Sequence, residues 1–243
     1  MRPFFVKREA AARISGERGE MRVGHYLDDL NPANYLILND VMLGGSGKTT
    51  QIDHLVVSTQ GLFVIETKNY DGWIYGNESD EEWTQVLFKR KHRFYNPLRQ
   101  NASHIRALKY LLSGMGQIPF HSVIVFTGES TLKVNENLYN VVKGRDLCHH
   151  IQDRGVECLS LKTRDEIYQR ICSANITDEK TKRDHVDYAF RRRREVEDAD
   201  ITGICPRCGG RLVQKNGRFG PFKGCTNYEN GCRFTITQKA RNR

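Results

Sequence analysis

The clearest alternation of apolar and polar residues lies between Gln51 and Tyr70. Two runs rich in β-branched and apolar residues, 52–58 and 61–68, flank a polar break at Thr59 and Gln60. Runs of this kind separated by a short polar break are typical of an antiparallel hairpin. The rest of the chain is interpreted around this predicted hairpin.

The register of the hairpin has a chemical consequence. If Ser58 pairs with Gly61, Asp53 lies opposite Glu66, and side chains directly opposed across two strands are only about 5 Å apart. Alternation also places Glu66 and Lys68 on one face of the second strand. Two opposed carboxylates repel each other, whereas Mg²⁺ is held in proteins by such carboxylates together with phosphates. The pattern therefore predicts a site for a divalent cation.

Helical and strand patterns alternate in the flanking sequence. Val23, Leu27 and Leu30 recur at helical spacing, and Ser15 is placed to cap that helix. Thr163 and Glu166 have the spacing of a capping box for a later helix. Further elements are predicted as strands at 35–43, 73–75, 82–88, 120–127 and 140–142, and as helices at 97–114 and from residue 147. Strands interleaved with helices indicate an α/β or α+β domain with a mixed sheet.

The stretch 44–50, GGSGKTT, invites comparison with a phosphate-binding loop. That loop requires Gly-x4-Gly-Lys-Ser/Thr and opens a helix, but Met42 stands at the first glycine position and a strand is predicted next. We interpret the stretch as a β-turn, and no nucleotide cofactor is expected.

The run 89–93, KRKHR, is basic and is followed by Phe94 and Tyr95. Two interpretations remain open. The run binds nucleic acid, or it is a solvated strand edge, which is the commoner meaning of a run of charges.

Composition points to a polyanionic partner. The net charge is +9 and the isoelectric point is about 9.2. Residues 176–243 contain 16 basic and 9 acidic side chains and so supply +7 of this charge. The region around 177–200 is charge-dense and poor in core-forming residues. The sequence thus predicts a main domain at 1–175, a basic helical linker at 176–200, and a small module at 201–243.

The chain contains no apolar run as long as a membrane span, and its first residues do not resemble a signal peptide. We therefore expect a soluble cytoplasmic protein that does not contact membranes. No particular oligomeric state is predicted.

Four of the seven cysteines are clustered near the C-terminus. Cys205 and Cys208 form a Cys-x2-Cys pair, and Cys225 and Cys232 form a Cys-x6-Cys pair, with sixteen residues between the two pairs. Four thiolates at this spacing favour a tetrahedral Zn²⁺ site over disulfides in a reducing compartment. A module of about forty residues needs such a metal in order to fold.

The cysteine module interleaves cations with aromatic residues, the combination that binds single-stranded nucleic acid. Its string CPRCGGRLVQKNGRFGPFKGCTNYENGCRF resembles the C-terminal zinc ribbon of type I DNA topoisomerases. The resemblance implies DNA binding, without topoisomerase activity. The candidate DNA-binding residues are Arg211, Lys215, Arg218, Phe219, Phe222, Lys223 and Tyr228.

Asp53 and the Glu66-Thr67-Lys68 string have the form of a metal-dependent nuclease site. Two carboxylates hold a cation, and a lysine stabilises developing negative charge. The stretches Gly19-Glu20, QIDH at 51–54, GLFVIETKNY at 61–70 and NPLRQN at 96–101 resemble the nuclease-related domain (NERD) family of the PD-(D/E)XK nuclease superfamily.

The resemblance implies a restriction-endonuclease-like mixed sheet flanked by helices. It implies that Asp53 and Glu66 bind Mg²⁺ or Mn²⁺ and that Lys68 is the catalytic lysine. It also assigns Glu20 as the helix acid near the metal, with Gln51 and Gln100 as polar supports. On pattern alone, Glu20 is equally explained by the helix dipole.

The sequence thus predicts a DNA-processing protein, namely a metal-dependent nuclease domain joined to a DNA-binding zinc ribbon. The alternative is a protein that uses a nuclease-like fold to recognise DNA without cleaving it.

Overall fold

A computed structural model describes residues 3–45, 48–135, 137–154, 156–178, 180–181, 195–196, 198–217 and 220–237. The chain forms two compact units, Met1–Ile176 and Thr177–Arg243. Most of the predicted linker, residues 182–194, lies outside the described residues.

The first unit contains four helices and nine strands among its described residues. The helices are α1 (Pro3–Leu27), α2 (Pro97–Leu111), α3 (Leu147–Gln152) and α4 (Leu161–Ala174). The strands are β1 (Leu36–Gly45), β2 (Lys48–Ser58), β3 (Gly61–Lys68), β4 (Gly72–Gly76), β5 (Glu82–Leu87), β6 (Arg90–Tyr95), β7 (Phe120–Phe126), β8 (Ser130–Val134) and β9 (Val141–Lys143).

A mixed five-stranded sheet in the order β1-β2-β3-β7-β9 forms the centre of this unit. The first three strands are antiparallel, and β7 and β9 run parallel to β3. Ser58 pairs with Gly61, so the predicted hairpin and its register are confirmed. Strand β7 lies inside the sheet and its residues 123–126 are buried, as expected for a near-continuous apolar run.

Helices cover both faces of the central sheet. Leu108 of α2 and Ile167 of α4 pack with Leu55 on one face. Val23 of α1 and Leu147 of α3 pack against the other face. The predicted fold class, a mixed sheet flanked by helices, is confirmed.

A second sheet in the order β6-β5-β4-β8 packs over one end of the first. Its buried residues Ile74, Trp83 and Phe94 form a common core with Ile124 and Phe126 of β7. Residues 90–93 of the basic run lie in edge strand β6, which agrees with its interpretation as a strand edge.

Two predicted helix starts were wrong. Helix α1 begins at Pro3, so Ser15 lies within it and its backbone carbonyl accepts a hydrogen bond from Asn69 Nδ2. Helix α4 begins at Leu161, where Ser160 caps the N–H of Thr163. For α4 the sequence offers both Ser160 and Thr163 as caps, whereas α1 extends to Pro3 although no serine or threonine precedes Ser15.

Within the stretch 44–50, residues 44–45 end β1 and residues 48–50 begin β2, with Gly45 paired to Lys48. A strand follows it, as predicted, rather than the helix that a phosphate-binding loop opens.

The second unit contains β10 (Leu212–Gly217), β11 (Gly220–Cys225) and β12 (Thr235–Thr237) in one antiparallel sheet. Its small core consists of Ala199, Cys205, Cys225, Phe234 and Ile236.

Candidate active site and zinc module

Asp53 lies where strands β2 and β3 stop pairing. The hydrogen-bonded ladder ends at His54 and Ile65, and the same register continued by one position places Asp53 opposite Glu66. Asp53 Oδ2 accepts a hydrogen bond of 2.8 Å from the backbone N–H of Thr67. The carboxylate of Asp53 is therefore held against β3, on the side where Glu66 begins the Glu-x-Lys string.

Strict side-chain alternation along β2 fails at this point. Ile52 and Leu55 belong to the same core cluster, although alternation would place them on opposite faces. On the neighbouring strand, Asp40 has a φ of 52° and interrupts the pairing of β1 with β2. Gln51 Nε2 donates a 2.8 Å hydrogen bond to Asp40 Oδ1. Alternation would give Gln51, Asp53 and Leu55 a common face, and a local distortion next to the acidic site breaks it.

Glu66 is a buried carboxylate with partners on both oxygens. Oε1 accepts a hydrogen bond from Lys68 Nζ, and Oε2 lies 3.2 Å from Nε2 of His104. The other ring nitrogen of His104 lies 2.7 Å from Oγ1 of Thr50. Burial raises the pKa of Glu66, but Lys68 and His104 outweigh it, so the pKa is lowered. Glu66 is therefore ionised at neutral pH.

Sequence reasoning missed His104. The available signal was its position on α2, four residues after Gln100 and hence on the same helix face. A histidine that holds a carboxylate in one orientation is a typical supporting residue of a metal site.

Lys68 is held between β3 and α2. Its Nζ donates to Glu66 and lies 3.2 Å from Oε1 of Gln100. Burial lowers the pKa of Lys68, but the charges of Glu66 and Asp53 more than compensate, so the pKa is raised. Lys68 is therefore a cation at neutral pH and can donate hydrogen bonds to an anionic group.

The charged forms of Asp53 and Glu20 are destabilised by their surroundings. Burial raises the pKa of Asp53 well above its usual value, and the charges of Glu66 and Glu20 add to this effect. Burial also raises the pKa of Glu20, with further contributions from Asp40 and Glu66. These mutual effects place Glu20 within electrostatic range of the site, which favours the interpretation that it points from α1 towards the other carboxylates.

A close helix–strand contact sets the position of Glu20. A Cβ at Gly19 would lie 2.7 Å from Cβ of Asn69 and 3.1 Å from Oγ1 of Thr127. Asn69 Nδ2 also donates to the carbonyl of Ser15 at 2.8 Å. Because Gly19 has no side chain, α1 closely approaches the ends of β3 and β7, and the charge of the neighbouring Glu20 contributes to the raised pKa of Asp53.

The donor set fits a hard divalent cation. Asp53 and Glu66 offer carboxylate oxygens, which Mg²⁺ prefers. The raised pKa of Asp53 also shows that its negative charge lacks sufficient compensation. Among the described residues, however, the compact group of three or more potential ligands is formed by the cysteines, not by these acids.

In the second unit, all four predicted zinc ligands come together. The Sγ atoms of Cys205, Cys208, Cys225 and Cys232 all lie within 4.8 Å of one another. Cys205 and Cys232 are 3.7 Å apart, and Cys208 and Cys225 are 3.3 Å apart. Tetrahedral zinc with bonds of about 2.3 Å separates its sulfurs by roughly 3.8 Å. The spacing therefore fits one zinc ion.

Backbone and side-chain N–H groups surround the cysteine sulfurs. The backbone N–H of Asn227 donates to Cys225 Sγ at 3.4 Å, and its Nδ2 donates to Cys208 Sγ at 3.5 Å. The N–H of Gly210 is the main cause that lowers the pKa of Cys208 to about 6. Gly209, with a φ of 70°, makes the left-handed turn after the first cysteine pair. Such donors favour the thiolate form that a metal requires.

The candidate DNA-binding residues of the module differ in their surroundings. Tyr228 is half exposed, with Nζ of Lys215 5.4 Å and Cζ of Arg233 3.9 Å from its ring centre. Lys223 Nζ lies 2.7 Å from Oδ1 of Asp200 and is thus partly neutralised. Arg211 is exposed, Phe222 is half-buried, and Arg218 and Phe219 lie outside the described residues.

Within the part of the chain that the structure describes, none of the helices offers an apolar stretch able to span a lipid bilayer.

Comparison with known proteins finds a matching family for each of the two units of the chain. The nuclease-related domain matches residues 15–127, and the topoisomerase DNA binding C4 zinc finger matches residues 202–241. An uncharacterized protein of Bacillus anthracis is 37% identical over 187 residues, which cover 75% of this chain and 87% of that protein.

Two archaeal proteins resemble the zinc module alone. DNA topoisomerase 1 of Methanothermobacter thermautotrophicus is 42% identical over 47 residues, covering 19% of this chain and 6% of that enzyme. DNA topoisomerase 1 of Methanocaldococcus jannaschii is 48% identical over 42 residues, covering 17% and 5%. No solved structure matches the chain.

The fold, the carboxylate–lysine site and the cysteine cluster together define a DNA-binding, nuclease-like protein with a structural zinc site. The chain belongs to the nuclease-related domain family and carries a topoisomerase-type zinc ribbon.

Proposed function

We propose that the nuclease-related unit hydrolyses phosphodiester bonds of DNA in a reaction that depends on Mg²⁺ or Mn²⁺. The observation that carries this proposal is the convergence of Asp53, Glu66 and Lys68 at the end of one hairpin. Holding Asp53 where burial and the charge of Glu66 raise its pKa is unfavourable for folding, so a structural role does not explain the arrangement.

In this proposal Asp53 and Glu66 are the metal ligands. A divalent cation bound there would neutralise phosphoryl oxygens and lower the pKa of the attacking water. The bond between Glu66 and His104 keeps the carboxylate oriented and ionised.

Lys68 has an electrostatic role. Because its pKa is raised, it is a hydrogen-bond donor rather than a base at neutral pH. It would stabilise the negative charge that develops on the phosphoryl group, and Gln100 would hold its ammonium group in position. Glu20 adds a further negative charge near the ligands, and Gln51 supports the site through Asp40.

The zinc ribbon would supply affinity for DNA that does not depend on its sequence. We propose a division into the nuclease-related domain at 1–175, a linker at 176–200 and the ribbon at 201–243. Cations that neutralise phosphates make binding fall steeply with salt concentration. The half-exposed ring of Tyr228 between two cations suits stacking against a base of single-stranded DNA.

The test is incubation of the purified full-length protein with plasmid, linear duplex and single-stranded DNA, with Mg²⁺ or Mn²⁺ and with EDTA. Wild-type protein should cleave only with metal. Asp53→Asn and Lys68→Met should each lower the cleavage rate by at least about 100-fold, the usual effect of losing one transition-state contact. Lys162→Met removes an exposed lysine of α4 and is the matched control, which should cleave like wild type.

Retained folding of the variants is checked by their thermal unfolding. DNA binding by wild-type protein without metal-dependent cleavage would reject the proposed activity and would favour recognition without cutting. Equal cleavage by wild type and Lys68→Met would reject the role of Lys68 in particular.

A further inference from the structure

The second sheet of the nuclease-related unit has one face on which most of the described side chains are exposed. Its other face contributes Ile74, Trp83 and Phe94 to the core. The register places Trp73 beside Val86, and Val86 beside Lys91. We call the exposed side the outer face and define it by Trp73, Tyr75, Lys91, Arg93, Tyr95 and Lys133.

Aromatic rings are unusually accessible on the outer face. Trp73 is 52% exposed, Tyr75 is 39% exposed and Tyr95 is 51% exposed. The rings of Trp73 and Tyr75 are adjacent, with centroids 6.5 Å apart. The other tryptophan of the chain, Trp83, is fully buried. Large rings that a core could have covered are thus presented to solvent side by side.

Cations flank these rings on both sides. Tyr75 pairs with Thr84, which pairs with Arg93, so Arg93 lies two strands from the ring. On the other side, Tyr75 pairs directly with Lys133 of β8. Glu82, which pairs with Tyr95, also lies on this face at 3.8 Å from Arg93, and its charge is outnumbered by those of Lys91, Arg93 and Lys133.

We propose that the outer face binds single-stranded DNA. Exposed rings that stack on bases and flanking cations that contact phosphates are the two components of a single-strand platform. In duplex DNA the faces of the bases are stacked on one another, so exposed aromatic rings find no free base to stack on. An acidic protein partner would suit the cations but would not require adjacent exposed rings. The two interpretations of the basic run therefore combine, because it is a sheet edge that also contributes two cations to the platform.

The outer face is close to the proposed active site along the chain. Strand β4 begins at Gly72, shortly after Lys68, and Tyr70 packs between them against Phe94. A strand lying on the outer face would thus be held by the unit that contains Asp53 and Glu66. Its role in presenting a substrate rests on the proposed nuclease function, whereas the binding itself does not.

Intrinsic fluorescence tests the proposal in the zinc-loaded full-length protein. Without Mg²⁺ or Mn²⁺, an oligodeoxythymidylate of eight residues should quench the emission of Trp73. Trp73→Phe should lose most of the quenching, since the remaining tryptophan is buried. Tyr75→Ala should weaken the dissociation constant for quenching about five-fold or more. Tyr110→Ala removes a more exposed ring of α2 and should leave the constant unchanged.

A double variant, Lys91→Gln with Lys133→Gln, tests the charged component. The slope of log K for quenching against log salt concentration should become smaller by about 1.4, since each phosphate contact on a single strand contributes about 0.7 to this slope. Arg170→Gln, an exposed cation of α4, is its control and should not change the slope.

Absence of quenching would overturn the proposal, as would equal affinity in Tyr75→Ala and Tyr110→Ala or equal quenching by a hairpin duplex. Self-association that buries Trp73 without DNA, seen by sedimentation and abolished in Trp73→Phe, would instead assign the face to a second copy of the chain. Because no divalent cation is added, these results do not depend on cleavage. Failure of the platform and failure of the nuclease are thus distinguishable.

Discussion

The variant Asp53→Asn should stabilise the metal-free protein while removing its response to Mg²⁺. Burial, Glu66 and Glu20 together raise the pKa of Asp53, so its ionised form is unfavourable in the folded state. Two unit charges about 5 Å apart repel by ~3 kcal/mol at an effective dielectric constant of about 20. Asparagine removes this repulsion and still accepts the hydrogen bond from Thr67.

Part of the gain in stability of Asp53→Asn is offset. The variant loses the attraction between Asp53 and Lys68 and weakens the hydrogen bond from Thr67, which together cancel about half of the effect. A net gain of ~1–2 kcal/mol raises the unfolding temperature of a domain of this size by about 2–8 °C. Magnesium at ten times its dissociation constant would stabilise the wild type by ~1.4 kcal/mol and should leave the variant unchanged.

Tryptophan fluorescence during heating is a suitable assay. Both tryptophans lie in the unit Met1–Ile176, so the signal reports this unit and not the zinc ribbon. Asp146→Asn changes an exposed carboxylate and should alter stability by no more than ~0.5 kcal/mol. The difference between wild type and Asp53→Asn should also depend on pH. Since the folded-state pKa is raised, the wild type loses stability as pH rises above about 4 and through that pKa.

The reasoning would be refuted if Asp53→Asn unfolded at a lower temperature than wild type without added metal. It would also be refuted if magnesium raised the unfolding temperatures of both proteins equally.

Three further predictions concern packing, pH and zinc. Gly19→Ala should destabilise the protein by ~1–3 kcal/mol and raise KM for DNA, because the added Cβ would meet Asn69. In the control Gly24→Ala, the added Cβ would have no neighbour within 4 Å, so thermal unfolding should show a gain in stability of ~0.5–1 kcal/mol. Burial lowers the pKa of His54 to about 4, so roughly 3 kcal/mol of stability should be lost as pH falls from about 6.5 to 4, and His54→Gln should show a shallower loss in acid-unfolding curves. Elemental analysis should find one zinc per chain in the wild type and less than half of that in Cys208→Ser; an unchanged zinc content in the variant would exclude Cys208 as a ligand.

Local sequence patterns were sufficient to predict several features of the structure. The hairpin and its register followed from apolar runs and a short polar break, because turn length fixes strand pairing. The zinc ligands followed from cysteine spacing, because the two pairs are brought together by one small sheet. Helix starts were less predictable, since Ser15 and Thr163 have capping chemistry but lie within longer helices.

The sequence by itself determined the hairpin, the cysteine cluster and the candidate acids, since each depends on residues near one another along the chain. Only the tertiary structure brought His104 to Glu66, brought Gly19 of α1 against Asn69, and aligned Trp73 with Lys91 across three strands. These arrangements join residues 18 to 50 positions apart. Packing of the helices against the central sheet, and pairing within the smaller sheet, decide such contacts. No local periodicity encodes them.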